Sequence, residues 1–176
     1  KQLFSQNNVP LTKYVWFFRN EWEDEGSKTV TKIEEKLHYP LYVKPANGGS
    51  SIGVSKVKNT QELRNAIEVA ALFDRKILVE EGFEDAREIN VSVMGNSGSD
   101  LAVSVCEEVF SAGEMLSYDD KYKGNAKKTG GSSGMVSTKR KIPADLTKEL
   151  EKKIQDAAKR AFSSLDCFGL ARIDFR

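Results

Sequence analysis

Apolar residues recur along this chain with two different periods, and the change from one to the other divides it. Residues 1–8 read as the end of a helix. Tyr14-Val15-Trp16-Phe17-Phe18 is an apolar, aromatic run that predicts a strand, with Trp16 and its neighbours taken as core. Residues 20–28 are acidic and read as a loop or short helix with a solvated face. Residues 29–37 place Val30, Ile33 and Leu37 at helical spacing. Leu41-Tyr42-Val43 predicts a second strand that delivers Lys44. A glycine- and serine-rich loop follows, Gly48-Gly49-Ser50-Ser51-Ile52-Gly53, and then a short β-like run over residues 52–57. Thr60 is a suitable N-cap for a helix with Leu63, Ala66, Ile67, Ala70 and Ala71 on one face. Residues 76–82 read as the next strand, ending in Glu80-Glu81-Gly82, where the glycine lets the backbone bend.

Beyond Glu84-Asp85 the pattern changes. Residues 87–94 alternate strictly. Glu88, Asn90 and Ser92 share one face, and Ile89, Val91 and Val93 share the other. A turn over residues 95–100 and renewed alternation over 101–110 predict an antiparallel hairpin. Residues 111–138 carry no sustained pattern, and a loop of that length in a compact domain reads as a functional lid. A helix is expected over residues 145–166, ended by Gly169, and a last apolar strand over residues 170–175. The fold class is therefore α+β, with two subdomains at 1–84 and 85–176.

Composition narrows the function classes. A chain of 176 residues with 39% hydrophobic and 30% charged residues reads as soluble and globular. Its formal net charge of +1 gives no global drive toward nucleic acid or a membrane. Lys121, Lys123, Lys127, Lys128, Lys139, Arg140 and Lys141 make a local basic patch, but no base-stacking aromatic pattern accompanies it. Cys106 and Cys167 have no disulfide or metal spacing, which fits a cytoplasmic chain. No run reaches the length of a membrane span. His38, the single histidine, is expected at a helix end or in packing rather than in catalysis. Both ends look cut, Arg176 inside an apolar strand, so a fragment is expected.

The candidate chemistry sits at strand ends. Successive amides in the glycine loop can form an anion-binding nest. Ser50 and Ser51 add donors, and Lys44 adds a positive charge at the rim. The loop is neither a P-loop, since no Gly-Lys-Ser/Thr follows, nor a dinucleotide fingerprint. Glu80 and Glu81 end one strand, and Glu88 opens another. Arg172 and Asp174 share a face of the last strand, a costly pairing in a buried strand unless the charges pair or hold a ligand.

Five segments in order carry a resemblance. These are residues 42–57 (Tyr42-Val43-Lys44-Pro45-Ala46-Asn47-Gly48-Gly49-Ser50-Ser51-Ile52-Gly53-Val54-Ser55-Lys56-Val57), Val79-Glu80-Glu81, Arg87-Glu88-Ile89-Asn90-Val91, Tyr118-Asp119-Asp120-Lys121-Tyr122 and Ala171-Arg172-Ile173-Asp174. Together they resemble the D-alanine–D-alanine ligase family of the ATP-grasp superfamily, which includes D-alanine–D-serine and D-alanine–D-lactate ligases. The resemblance implies an ATP-grasp fold with two subdomains clasping ATP. It implies ligation of D-alanine to a second D-amino acid, D-alanine or D-serine, through an acyl phosphate, for peptidoglycan precursors.

Its implications reach single residues. Lys44 and Lys121 would contact the ATP phosphates, and Gly48, Gly49, Ser50, Ser51 and Gly53 would form the mobile loop over them. Glu80 would accept from the adenine amino group, and the backbone at Glu81 and Phe83 would read the ring edge. The family often has a lysine and an aromatic where this chain has Glu81 and Gly82. Glu88 would bind the ribose hydroxyls. Tyr122 would face the second substrate, Arg172 would stabilise the oxyanion, and Asp174 would ligate magnesium, with manganese as a substitute. The resemblance also implies a homodimer at full length and small-molecule substrates, with no nucleic acid or membrane partner. The family's N-terminal substrate domain and C-terminal end, with its remaining metal ligands, are expected to lie outside these residues, so the fragment alone should not turn over. Another ATP-grasp carboxylate–amine ligase and a non-catalytic nucleotide-binding module stand as the competing readings.

Overall fold

In the computed structural model the described residues are 1–110 and 139–176. They divide into two compact units, one of residues 12–84 and the other of residues 1–11, 85–110 and 139–176. The division falls between Glu84 and Asp85. The opening segment with its helix α1 (Gln2–Gln6) groups with the later residues, not with the 1–84 set expected from the sequence.

The first unit is an antiparallel sheet under two helices. Its elements are β1 (Tyr14–Phe18), α2 (Arg19–Glu34), β2 (Leu41–Pro45), β3 (Ser55–Val57), α3 (Thr60–Ala71) and β4 (Lys76–Glu81), and its strand order is β1-β4-β2-β3. Register aligns Val15 and Val43 with Val79, and Phe17 and Pro45 with Ile77. That row is buried against Val30, Ile33, Leu63 and Ile67 of the helices. Each such side chain contributes about 1.5–3 kcal/mol by leaving water. The alternate positions, Tyr14, Trp16, Tyr42, Lys44, Leu78 and Glu80, fall on the other face. Trp16 is therefore 37% exposed rather than core, with Lys76 Nζ 4.0 Å from its ring centroid.

Helix boundaries follow polar side chains. α2 joins two helical stretches across a kink at Glu25 (φ −140°, ψ 46°), so the short helix, not the loop, is the form the acidic segment takes. Asn59, not Thr60, caps α3, its side chain accepting from Glu62 N–H at 3.0 Å. The Thr60 hydroxyl is committed elsewhere and donates to Glu34 Oε1 at 2.6 Å. His38 takes no part in packing. It is exposed, with its N–H donating to Glu81 Oε1 at 2.9 Å and its Nδ1 3.1 Å from the same oxygen.

The second unit holds β5 (Glu88–Asn96), β6 (Ala102–Val103), β7 (Glu107–Phe110), β8 (Lys139–Lys141), α4 (Lys148–Ser164) and β9 (Phe168–Phe175). β5 pairs antiparallel with β6, β7 and β9, and β7 with β8. The return strand of the expected hairpin is split in two. At the break the Ser104 hydroxyl, not its carbonyl, accepts from Ser92 N–H at 3.0 Å, and the carbonyl turns to Gln155 of α4. α4 covers one face only, packing Ala158 and Phe162 on Ile89, Val91, Val93, Ala171 and Ile173. Where a buried strand was expected, β9 is covered on one face only, and Arg172 and Asp174 are exposed. Nor does Gly169 end α4. Asp166 takes the left-handed turn (φ 51°), and Gly169 (φ 81°) lies in β9. Among the described residues no helix is long and apolar enough to cross a membrane.

Glu108 is a carboxylate buried on the helix side of this sheet. Arg87 grips it at 2.6 and 2.7 Å and also donates to the Asp145 carbonyl at 2.9 Å. Those hydrogen bonds, against the opposing effect of burial, hold the Glu108 carboxyl below its ordinary value of 4.5. A depressed carboxyl contributes stability that is present above the unfolded value and lost as pH falls through the folded one. Arg87→Met should therefore move the acid-unfolding midpoint, followed by near-UV circular dichroism, to higher pH; an unchanged midpoint would show that the pair carries no stability.

The two apolar clusters give a second expectation. Ile67→Ala and Phe162→Ala, one in each core, should destabilise by about 2–5 and about 3–5 kcal/mol in denaturant titrations, as large-to-small core changes do.

Candidate functional site

Each unit presents half of the chemistry, and each half is built on an open sheet face. In the first unit β2 and β4 are neighbours, and Tyr42 pairs with Glu80 while Lys44 pairs with Leu78. Lys44 Nζ reaches diagonally to Glu80 Oε2 at 2.6 Å. The glutamate side chain is only 12% exposed, so the charge partner matters: an unpaired carboxylate there would be costly. Lys44 has three donors, so an anion can reach it without displacing Glu80.

The end of β4 is held by its neighbours. Glu81 N–H donates to the Lys13 carbonyl at 3.0 Å, and its own carbonyl accepts from Thr12 Oγ1 at 2.9 Å. Gly82 N–H donates to the Pro40 carbonyl at 2.7 Å. A Cβ on Gly82 would lie 2.8 Å from the Tyr42 ring and 3.1 Å from Pro40 O. The glycine is there for close packing against Tyr42, not for a bend. The Glu81 side chain turns to His38 and to Lys13, 3.8 Å away. Burial would raise its carboxyl, but the His38 hydrogen bonds and the Lys13 charge hold it below the ordinary value. Phe83, just beyond, is half exposed.

The glycine loop leaves β2 through Ala46, whose N–H donates to the Lys76 carbonyl at 2.9 Å. Ser50 (φ 53°) and Ser51 (φ 61°) both adopt left-handed backbone, which is uncommon without glycine and clusters at ligand clamps. Gly49 has open space around its Cβ position among the described residues, so no packing against them demands a glycine there. Asn47 N–H and Nδ2 both donate to Asp74 Oδ2, at 2.7 and 2.9 Å.

In the second unit the open face runs across β7, β5 and β9. Register sets Asn90 beside both Glu107 and Asp174, and Ser92 beside Arg172. Arg172 grips Asp174 through Nε (2.7 Å) and Nη2 (3.0 Å). The hydrogen bond to Asp174, against burial and with the fields of Glu107 and Glu88, pushes the guanidinium further above its already high value. Arg176 Nη2 donates to Glu88 Oε2 at 3.2 Å, and Arg140 lies 3.3 Å from Glu107. Asn90 Oδ1 is buried at the centre of this face with no hydrogen-bond partner among the described residues.

Lys44 and Glu80 thus come together on one face, and Glu88, Arg172 and Asp174 on another. Lys121 and Tyr122 lie outside the described residues, as does the expected lid at residues 111–138. Among the described residues no three histidine, cysteine, aspartate or glutamate side chains gather as a metal centre. Asp174 offers one carboxylate, and Arg172 engages both of its oxygens. Spacing along the chain puts Asn90 on the polar face and Arg140 in a basic run, but gives no sign of Asp74 or Glu107. Their only signal is contact across strands and turns, which spacing along the chain does not carry.

The family model described as D-ala D-ala ligase C-terminus matches residues 3–176. The D-alanine–D-alanine ligase of Acetivibrio thermocellus is 41% identical over 175 residues, covering 99% of this chain and 43% of the relative. That of Staphylococcus saprophyticus is also 41% identical, over 99% of this chain and 45% of the relative. Among solved structures, the VanG D-Ala:D-Ser ligase of Enterococcus faecalis superposes with a TM-score of 0.77 at 33% identity, over 98% of this chain and 45% of that one. D-alanyl-alanine synthetase A of Vibrio cholerae gives 0.75 at 27% identity, over 99% and 48%. The chain spans less than half the length of the curated relatives it matches. With the two antiparallel sheets, the open polar faces and a match across nearly every residue, the chain has the ATP-grasp fold and belongs to the D-ala D-ala ligase C-terminus family.

Proposed function

We propose that this chain is the nucleotide-binding part of an ATP-dependent ligase that joins D-alanine to a second D-amino acid, supplying a peptidoglycan precursor in the cytoplasm. The observation that carries the reading is the family match over residues 3–176, with Lys44–Glu80 and Arg172–Asp174 each on an open sheet face. A carboxylate oxygen of the first D-alanine attacks the γ-phosphorus of ATP, and ADP leaves. The amine of the second attacks the acyl phosphate carbon; inorganic phosphate leaves, and the nitrogen gives up a proton.

Phosphoryl transfer asks for positioning and charge neutralisation more than for covalent help. Lys44 keeps one donor on Glu80 and offers the others to phosphate oxygens. The amides and hydroxyls of residues 48–53 surround the same oxygens. Glu80 and the backbone at Glu81 and Phe83 take the adenine edge: Glu81 N–H is spent on Lys13, whereas the Glu81 carbonyl keeps a second lone pair beside Thr12 and can serve it together with Phe83 N–H. Glu88 takes the ribose hydroxyls. Arg172 spends two of its five donors on Asp174, which fixes the guanidinium so that the rest can meet the tetrahedral oxyanion. Lys121 and Tyr122 are assigned the γ-phosphate and the second substrate.

The described residues do not form a metal centre by themselves, and no step here passes through one. The family's divalent cation, magnesium or manganese, would take Asp174 as one ligand and needs others from outside the described residues. Residues 1–176 alone should then not turn over, and the whole protein is expected to be a homodimer. The resemblance to the VanG enzyme makes D-serine a second candidate beside D-alanine.

In the full-length protein, ADP release with magnesium and ATP should depend on D-alanine, and product analysis with D-serine and D-lactate present should name the second substrate. Arg172→Ala should lower kcat by about 10²–10³ with little change in the KM for ATP, the size typical of removing one oxyanion donor. Arg172→Lys should not restore it, because the forked geometry is lost. Absence of D-alanine-dependent ADP release despite nucleotide binding would move the reading to another ATP-grasp ligase or a binding module.

A further inference from the structure

The glycine loop is held at both ends by one turn that carries none of the chemistry assigned above. At its start, two donors of Asn47 converge on a single carboxylate oxygen, Asp74 Oδ2. The other oxygen, Asp74 Oδ1, accepts from Lys76 N–H at 3.2 Å, the first residue of β4. Asp74 so ties the loop to the strand that presents Glu80. At the loop's far end Gly53 (φ 70°) lies under the Phe73 ring: a Cβ there would sit 2.6 Å from Phe73 Cδ2. The ring is 54% exposed, with one face over Gly53. The turn itself is fixed, with Phe73 N–H and Asp74 N–H both donating to the Ala70 carbonyl at the end of α3, at 3.1 and 3.3 Å.

Burial would raise the Asp74 carboxyl. The N–H groups of Asn47, Lys76 and Arg75 and the Asn47 amide outweigh that and hold it below its ordinary value of 3.8. It is an anion at neutral pH, and hydrogen bonds to an ionised acceptor are about twice as strong as neutral ones. Between the two anchors lie residues 48–52, which include Ser50 and Ser51 and turn on a hydrogen bond from Ile52 N–H to the Gly49 carbonyl at 3.1 Å.

Resting on the nucleotide-binding role assigned to this loop, we propose that Asp74 and Phe73 are positioning residues for it: a two-point clasp that sets the loop's resting geometry, and with it the affinity for the nucleotide phosphates, without touching the ligand. The alternative is an ordinary turn whose loss would affect folding alone.

The test uses the full-length protein and two readouts: the Kd for a non-hydrolysable ATP analogue, and separate KM values for ATP and D-alanine. Asp74→Leu keeps the shape and removes the acceptors. It should weaken analogue binding and raise the KM for ATP about 10-fold, the effect of losing a charge-assisted hydrogen-bond pair, while the KM for D-alanine changes less than about twofold. Asp74→Asn keeps one acceptor oxygen for Asn47 but turns its amide toward Lys76 N–H and loses the charge, so it should recover only part of the loss. Asn47→Ala combined with Asp74→Leu should cost less than the sum of the two. Phe73→Ala, a change at a half-exposed ring, should raise the KM for ATP about fivefold and speed amide exchange over residues 48–53 without lowering the melting temperature. It also serves if Asp74→Leu fails to fold. Unchanged nucleotide affinity in Phe73→Ala and in any folded Asp74 variant overturns the clasp. A wild-type protein that binds the analogue but shows no D-alanine-dependent turnover overturns the ligase reading and leaves the clasp to be judged by Kd.

Discussion

Among the described residues each sheet has helices on one face only, and most of the structure follows from that. A strand alternates, so burying one side under α2 and α3, or under α4, commits every second residue to the opposite side. In the first unit the covered residues are Val15, Phe17, Leu41, Val43, Ile77 and Val79. Their neighbours are Trp16, Tyr42, Lys44 and Glu80. In the second unit Ile89, Val91 and Val93 go under α4, and Glu88, Asn90 and Ser92 remain. Chemistry-bearing residues are therefore gathered by the same alternation that builds the two cores.

Open faces are not idle faces. Lys44 and Glu80, Arg172 and Asp174, Arg176 and Glu88, and Arg140 and Glu107 are all joined in pairs. Where both partners are exposed, as in Arg172–Asp174 but not at the largely covered Glu80, such pairs contribute little to stability, typically under about 1 kcal/mol. Their value is geometric. A guanidinium gripped at two points has lost its rotamer freedom before any ligand arrives, so less entropy remains to be spent on binding. The exception is Arg87–Glu108 on the covered side, where the carboxylate is buried and losing its partner would leave an uncompensated charge.

The loop over residues 46–54 combines two requirements that pull against each other. It needs left-handed backbone at Ser50 and Ser51, which costs energy, and it needs to stay near one arrangement. Anchors outside the loop resolve this. Asn47 is tied to Asp74 and Gly53 lies under Phe73, so the strained residues are bracketed by fixed ones.

Much of this was legible in the residues alone. Apolar and aromatic runs placed β1, β2 and β4, period-two alternation placed β5 and its polar face, helical spacing found α3 and α4, and ordered motifs pointed to the family. These are local properties, set by side chains a few positions apart, and sequence records them directly. What tertiary structure decided is what depends on contact between distant segments. Asn59 displaced Thr60 as the cap of α3 because Glu34, far back in the chain, claims the Thr60 hydroxyl. The return strand broke at Ser104 because Gln155 of α4 takes its carbonyl. β9 kept Arg172 and Asp174 in the open because α4 covers a single face. Gly82 proved necessary for the Tyr42 ring rather than for a bend, and Asp74, unremarkable in sequence, became the anchor of the loop only when the turn after α3 was folded against it. Spacing along a chain fixes which face a residue takes; only the assembled fold fixes which distant partner it meets there.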